Sequence, residues 1–233
     1  LREAGLPAEA LDAVVFYEKP FVKFERILTT TMAMAPRSMG AFLRAMPPWL
    51  TEKLWVGTRL QKRLGTGPRL LYSEHHLSHA ASAFLVSPFE RAALLTLDGV
   101  GEWETATVGL GEGSDLRLDR AVRFPHSLGL LYSALTSYLG FRVNDDEWKV
   151  MGLAPYGEPR FADKLRQLIE VDPDWGFRLD LRYFDHHTRV RRGYSPKLEE
   201  LLGFHPREPE SGLSDNHRDL ARSVQLVTEE VEV

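Results

Sequence analysis

Apolar and polar positions change rhythm several times along this chain, and the changes divide it into elements. The opening "LREAGLPAEALDAVVFYEKP" reads as a helix end at Gly5, a short helical turn, and a strand, "AVVFY". Residues 21–64 carry a helical pattern broken at Pro36, Pro47 and Pro48. Each proline predicts a helix boundary or start, because proline lacks an amide N–H and clashes with the preceding turn. "PRLLYS" predicts a short strand, and "EHHLSHAASAFLVS" a helix closed by Pro88. "AALLTLD" reads as a buried strand, "TATVGLG" as a second and "LRLDRAVRF" as a third, joined by the turns "GVGEW" and "EGSD". That spacing predicts a three-stranded antiparallel meander. "PHSLGLLYSALTSYLGF" is apolar around most of its circumference, so it reads as a buried helix with Ser127 as its N-cap. A loop, "NDDEWKVMGLAPYGEP", comes next, then a helix near 160–170 and a strand in "GFRLDLRYF". The rest is polar and loop-rich until a last helix near 215–231. The pattern is α/β, with no internal repeat and no low-complexity tract.

Composition narrows the class. With 233 residues, 43% hydrophobic and 27% charged, the chain is long and apolar enough to build a core without disulfides or zinc. A net charge of -4 argues against nucleic acid as a partner. The absence of cysteine excludes a disulfide framework, a thiolate metal site and a cysteine nucleophile. The sequence holds no long apolar span and no signal-peptide pattern, so the expected setting is cytoplasmic, away from membrane. The chain begins without methionine and stops inside "ARSVQLVTEEVEV", which reads as a running helix, so a fragment of a longer protein is expected. Between Glu18 and Arg63, nine Lys or Arg face three Glu. This is either a solvated basic face or a lip that attracts phosphates.

The chemistry concentrates in "YSEHHLSHAASAF", which holds three of the eight histidines. At about 100° per residue, Leu77, Ala80, Ala81, Phe84 and Leu85 share one helical arc. His75 and His79 fall together on the opposite side, where i and i+4 rings converge, and His76 lies between the faces. A metal needs further ligands, and Asp98, ending "AALLTLD" before a glycine turn, is the nearest candidate. Two neutral imidazoles and a carboxylate suit Fe2+, Mn2+ or Zn2+. Such a site can polarise a substrate oxygen as a Lewis acid. Gly99 and Gly101 allow close backbone approach to an anion, and Lys149, Gly152 and Gly157 in "KVMGLAPYG" offer a second phosphate loop. His126 reads as structural or pocket-lining. Asp185, His186 and His187 in "FDHHT" read as divergent neighbours, and Asp145, Asp146 and Glu147 as a solvated acidic loop.

Four blocks then stand in order: "SEHHLSHAASAF", "LTLDGVGEWETATVG", "RFPHSLGLLYSALTSYLGF" and "EWKVMGLAPYGEP". Together with "VVFYEKPFVKFERIL" they resemble the O-carbamoyltransferase family of nodulation-factor and antibiotic biosynthesis. The resemblance implies part of an actin-like ATPase/sugar-kinase fold spanning residues 1–233, with 20–66 as a helical insertion. The family's first strands and everything past the last helix are absent from this sequence. In that family a separate C-terminal domain makes carbamoyl-adenylate from carbamoyl phosphate and ATP. The actin-like domain transfers the carbamoyl group to a hydroxyl of a small-molecule acceptor. A divalent metal, usually iron, is implied at His75, His79 and Asp98, with a last aspartate beyond Val233. His76 or His126 is of the right pKa class for a general base. "NDDEW" departs from the family, many of whose members carry a glycine and a tyrosine there. The chain alone is expected to be inactive, and homo-oligomerisation stays open. A related actin-like enzyme (a tRNA threonylcarbamoyl transferase or small-molecule kinase) and a non-catalytic metal- or nucleotide-binding module are the alternatives.

Overall fold

A computed structural model describes residues 3, 5–65, 68–188 and 192–232. Leu1, Arg2 and Ala4 of the opening stretch, Thr66 at the end of the expected insertion, and Val233 lie outside the described residues. The chain forms two compact units. The first comprises residues 1–96 and 101–120, the second 97–100 and 121–233.

In the first unit, a 3-10 turn (Ala8–Ala10) precedes β1 (Ala13–Phe16), which pairs in parallel with β2 (Arg69–Tyr72). Between them run α1 (Pro20–Ala33), α2 (Met39–Thr51), a 3-10 turn (Lys53–Trp55) and α3 (Val56–Leu64). Pro47 and Pro48 do not bound a helix as expected, for both lie inside α2. They sit on its exposed face, so the carbonyls one turn earlier, deprived of N–H partners, face solvent. Trp49 and Met46 supply the buried side, with Trp49 tilted against Phe24 of α1 at 5.8 Å between ring centres.

β2 feeds α4 (His75–Phe84), which lies on the meander β3 (Arg91–Leu97), β4 (Glu104–Glu112) and β5 (Asp115–Arg123). Short connections between neighbouring strands make this sheet antiparallel. Ala80 and Phe84 of α4 bury against Leu94, with Ala92, Leu116 and Leu118 around them. β3 departs from the fully buried strand expected of "AALLTLD". Leu94 and Thr96 point inward, whereas Leu95 and Leu97 are 52% and 37% exposed. Only one face of the strand is covered by α4, so burial alternates.

The second unit is built round α5 (Leu128–Tyr138), whose Leu131, Leu135 and Tyr138 are almost wholly buried. α6 (Glu147–Leu153) lies against it, and the same unit holds a 3-10 turn (Ala154–Tyr156) and α7 (Ala162–Arg166), both packed on the C-terminal helix, and α8 (Pro196–Leu202). The hairpin β6 (Ile169–Val171) and β7 (Phe177–Leu179) and the long α9 (Asp215–Glu232) complete the unit. Thus part of the loop expected at "NDDEWKVMGLAPYGEP" is helix, α8 interrupts the expected loop-rich stretch, and the predicted 176–184 strand stops at Leu179. α9 buries Leu220, Ala221, Val224 and Val227. It clamps the 158–161 segment polarly as well: Asp219 accepts from the Glu158 amide at 2.8 Å and Ser223 Oγ from the Phe161 amide at 3.0 Å.

Candidate metal centre

The histidine helix is fixed first at its N-terminus. Ser73 N–H donates to Phe16 carbonyl at 2.9 Å, carrying the β1–β2 ladder up to the helix start. Glu74, at the N-cap position, gives no side-chain cap. Glu102 replaces it: its carboxylate accepts the His75 amide at 2.9 Å and the Lys19 amide at 2.7 Å. A carboxylate at a helix N-terminus also meets the favourable end of the helix dipole. Glu102 is 4% exposed, and the Arg26 guanidinium lies buried within its field. Burial pushes that guanidinium down to about 10, opposed by the charge of Glu102. The basic lip is therefore partly spent internally. Lys19 pairs with Glu74, Lys23 with Glu18, and Arg59 with Glu52.

His76 turns inward, contrary to its expected place between the faces. The buried stripe is His76, Ala80 and Phe84, and Leu85 is exposed. Nε2 of His76 lies 2.9 Å from the Glu104 carbonyl, which can only accept, so Nε2 carries the proton. Nδ1 then accepts from Thr96 Oγ1 at 2.6 Å, and Thr96 accepts in turn from Thr107 Oγ1 at 2.6 Å. The imidazole ties α4 to β3 and β4, and both its nitrogens are committed to that task.

His75 and His79 come together as the i, i+4 spacing requires, with ring centres 4.7 Å apart. The ligand atoms of His75, His79 and Asp98 all lie within 4.8 Å of one another. Asp98 is counted with the second unit, but its stretch Leu97–Val100 is a turn tied at both ends to the meander. Two imidazoles and one carboxylate at this spacing are a donor set that fits a divalent first-row metal. Asp98 Oδ1 also accepts the Gly99 amide at 2.7 Å, which shapes the turn.

Of the two glycines of that turn, Gly101 is required by packing, whereas a Cβ on Gly99 would meet only Leu130 Cδ2 at 3.8 Å. A Cβ on Gly101 would stand 3.0 Å from His75 Cβ and 3.1 Å from His76 Cδ2. Within the second unit, a Cβ on Gly129 would meet the Asp98 carbonyl oxygen at 2.8 Å. Ser127 caps α5 by accepting the Leu130 amide at 3.0 Å, and its hydroxyl donates to the Gly99 carbonyl at 2.7 Å. Ser127 therefore both starts a helix and holds the turn that carries Asp98.

The other expected site residues lie in the second unit. Lys149 forms an ion pair with Asp146 at 2.8 Å. Asp146 is buried, unlike the solvated acidic loop expected there, and accepts the Arg142 amide. Gly157 is held against α9, where a Cβ would meet the Arg218 carbonyl at 2.0 Å, whereas nothing lies within 4 Å of one on Gly152. His126 lines a cleft of about 700 Å³ with Arg123, Glu170, Trp175 and Arg178. The Leu179 amide donates to its Nδ1 at 3.1 Å, leaving the ring proton on Nε2. Burial, with Arg178 nearby, pushes His126 below the usual histidine range.

Sequence reasoning missed Glu18, the residue that follows the strand read as "AVVFY". Its Oε2 lies 3.4 Å from His75 Nδ1 and 2.7 Å from Lys23 Nζ. The facing His75 imidazole holds its carboxyl down at about 2, against the opposing effect of burial and with Lys23 assisting. A usable signal existed: like Asp98, Glu18 is a carboxylate just past a strand's C-terminal end.

A family model described as "Carbamoyltransferase N-terminus" matches residues 1–233. The chain is 48% identical to the uncharacterized protein sll1178 of Synechocystis sp. over 99% of its own length and 39% of that protein. It is 31% identical to nodulation protein NolNO of Sinorhizobium fredii, over 99% of this chain and 31% of the relative. With nodulation protein NolO of Bradyrhizobium diazoefficiens it shares 34% identity over 67% of this chain and 26% of the relative. The chain therefore spans about two fifths or less of each of these relatives. Among the described residues, no helix is long and apolar enough to cross a membrane.

Proposed function

This chain belongs to the carbamoyltransferase N-terminal family, and on that premise we propose that the protein containing it transfers a carbamoyl group from carbamoyl-adenylate to a hydroxyl of a small-molecule acceptor. The carbamoyl-adenylate would be made from carbamoyl phosphate and ATP by a further domain of the same polypeptide. The observation that carries the reading is the convergence of His75, His79 and Asp98 within 4.8 Å. These are the residues the family resemblance designates as ligands. The actin-like fold is part of the same proposal.

In this reading His75, His79 and Asp98 hold a divalent metal, Fe2+ first, with Mn2+ or Zn2+ as substitutes. When bound, the metal supplies Lewis acidity to a carbonyl or phosphate oxygen. The acceptor oxygen forms a bond to the carbamoyl carbon, the carbon–oxygen bond to the adenylate phosphate breaks, and AMP leaves with that oxygen. The hydroxyl proton passes to solvent in the same step. His76 acts as a positioning residue, since both its nitrogens hold α4 to the sheet. His126 offers a hydrogen-bond donor at Nε2 in its neutral form. Gly152, with open space round it, is the phosphate approach point we retain from the second glycine loop. Lys149 reaches a phosphate only by leaving Asp146.

The test uses the full-length protein with carbamoyl phosphate, ATP and a panel of sugar, aminoglycoside, macrolide and cephem acceptors. Acceptor-dependent AMP release should accompany a carbamoylated product. A His75→Ala/His79→Ala variant should lose its bound metal in elemental analysis and the product by about a hundredfold or more. A phosphorylated acceptor formed without carbamoyl phosphate would replace this reading with a kinase. Product formation at wild-type rates by the metal-free double variant would remove the metal from the reaction.

A further inference from the structure

We propose that Glu18 is the outer carboxylate of the metal centre, fixing His75 as the Nδ1–H tautomer so that Nε2 is the nitrogen offered to the metal. The inference rests on the metal reading above. A neutral imidazole has one N–H and one lone pair, and a carboxylate can only accept. Glu18 Oε2 stands 3.4 Å from Nδ1 of His75, a distance that a small rotation of the ring shortens into a hydrogen bond. Both side chains are largely shielded, with exposures of 13% and 14%. The proton therefore belongs on Nδ1 and the lone pair on Nε2.

Glu18 is itself immobilised. Lys23, early in α1, donates to the same oxygen at 2.7 Å. Tyr17 sets its ring edge-on to His75 at 5.8 Å, and Glu102 holds the His75 backbone. Gly101 in the turn leaves room beside the His75 side chain for no more than a hydrogen, since a Cβ there would stand 3.0 Å from His75 Cβ. His75 is thus preorganised by four neighbours before any metal arrives, whereas His79 is exposed. A carboxylate behind one ligand also raises that imidazole's basicity. The pair is asymmetric: His75 is the anchoring ligand and His79 the closing one.

Co2+ serves as the probe, because its visible absorption reports ligand identity. The full-length protein, stripped of metal, is titrated as wild type, Glu18→Gln, Glu18→Met/Lys23→Met and His75→Ala. The Met pair removes the carboxylate without leaving an unpartnered cation. It should weaken Co2+ binding about 10–100-fold and shift the absorption bands. The unfolding midpoint of the metal-free protein serves as the control for structural damage. Glu18→Gln, which keeps an acceptor oxygen and loses the charge, should fall between it and wild type. Wild-type affinity and spectrum in both Glu18 variants, with binding abolished in His75→Ala, would overturn the role of Glu18 and leave the metal reading intact. No Co2+ binding by the wild type would overturn both.

Discussion

At the scale of single residues, the site is set by what is missing as much as by what is present. Gly101 has no side chain where two histidines press. Gly101→Ala puts a methyl 3.0–3.2 Å from His75 and His76 atoms that are themselves tied down, so the turn and α4 must part. The expected cost is about 1–3 kcal/mol of stability, as for other overpacked cores. Metal affinity should fall with it, and urea unfolding beside a Co2+ titration reads the two. His186 makes the other residue-level prediction. Burial is the main cause holding it down at about 4, against its hydrogen bond to the Pro125 carbonyl. In the unfolded chain it protonates near 6.5. Between those values the unfolded state binds a proton that the folded state refuses, so stability falls as pH drops from 6.5 towards 4. The loss is about 3 kcal/mol at most. His187 and His126, also lowered, act in the same direction. Unfolding midpoints measured across that range should show the slope, and His186→Phe should flatten it.

At the scale of elements, Ser127 has two duties. Ser127→Ala removes the cap of α5, a loss of about 0.5–2 kcal/mol. It also frees the Gly99 carbonyl, so the turn carrying Asp98 should exchange its amide protons faster. Hydrogen exchange at Gly99 and Val100, set beside a denaturant midpoint, separates the two effects. The elements themselves were unequally legible. The meander and α5 could be read because their apolar runs are long and their turns carry Gly, Asp and Ser. α6 was hidden by its polar start, although buried Asp146 anchors it through the Arg142 amide and Lys149. α2 runs through two prolines because both face solvent, and periodicity cannot see which side will be wet. The stripe of α4 was misplaced by part of a turn. An imidazole counted as polar is buried there because Thr96 and the Glu104 carbonyl satisfy it.

At the scale of the whole chain, the clustering of His75, His79 and Asp98 was legible, since His-x-x-x-His and a strand-end aspartate leave local traces. Their supporting carboxylates were not, because Glu18 and Glu102 meet His75 only through tertiary packing, 57 and 27 positions away in the numbering. The two units are also interwoven in sequence, the second borrowing Leu97–Val100 from the middle of the first. That borrowing imposes an order of events on the ribosome. His75, His79 and Asp98 are synthesised early, but the hydroxyl that fastens the Asp98 turn is 29 residues downstream. At about 5–20 residues per second, the growing chain carries two imidazoles and an unsecured carboxylate for a few seconds. On the proposed metal reading, an ion captured in that interval would have a loose site to leave, and loading would belong to the finished protein more than to the nascent one.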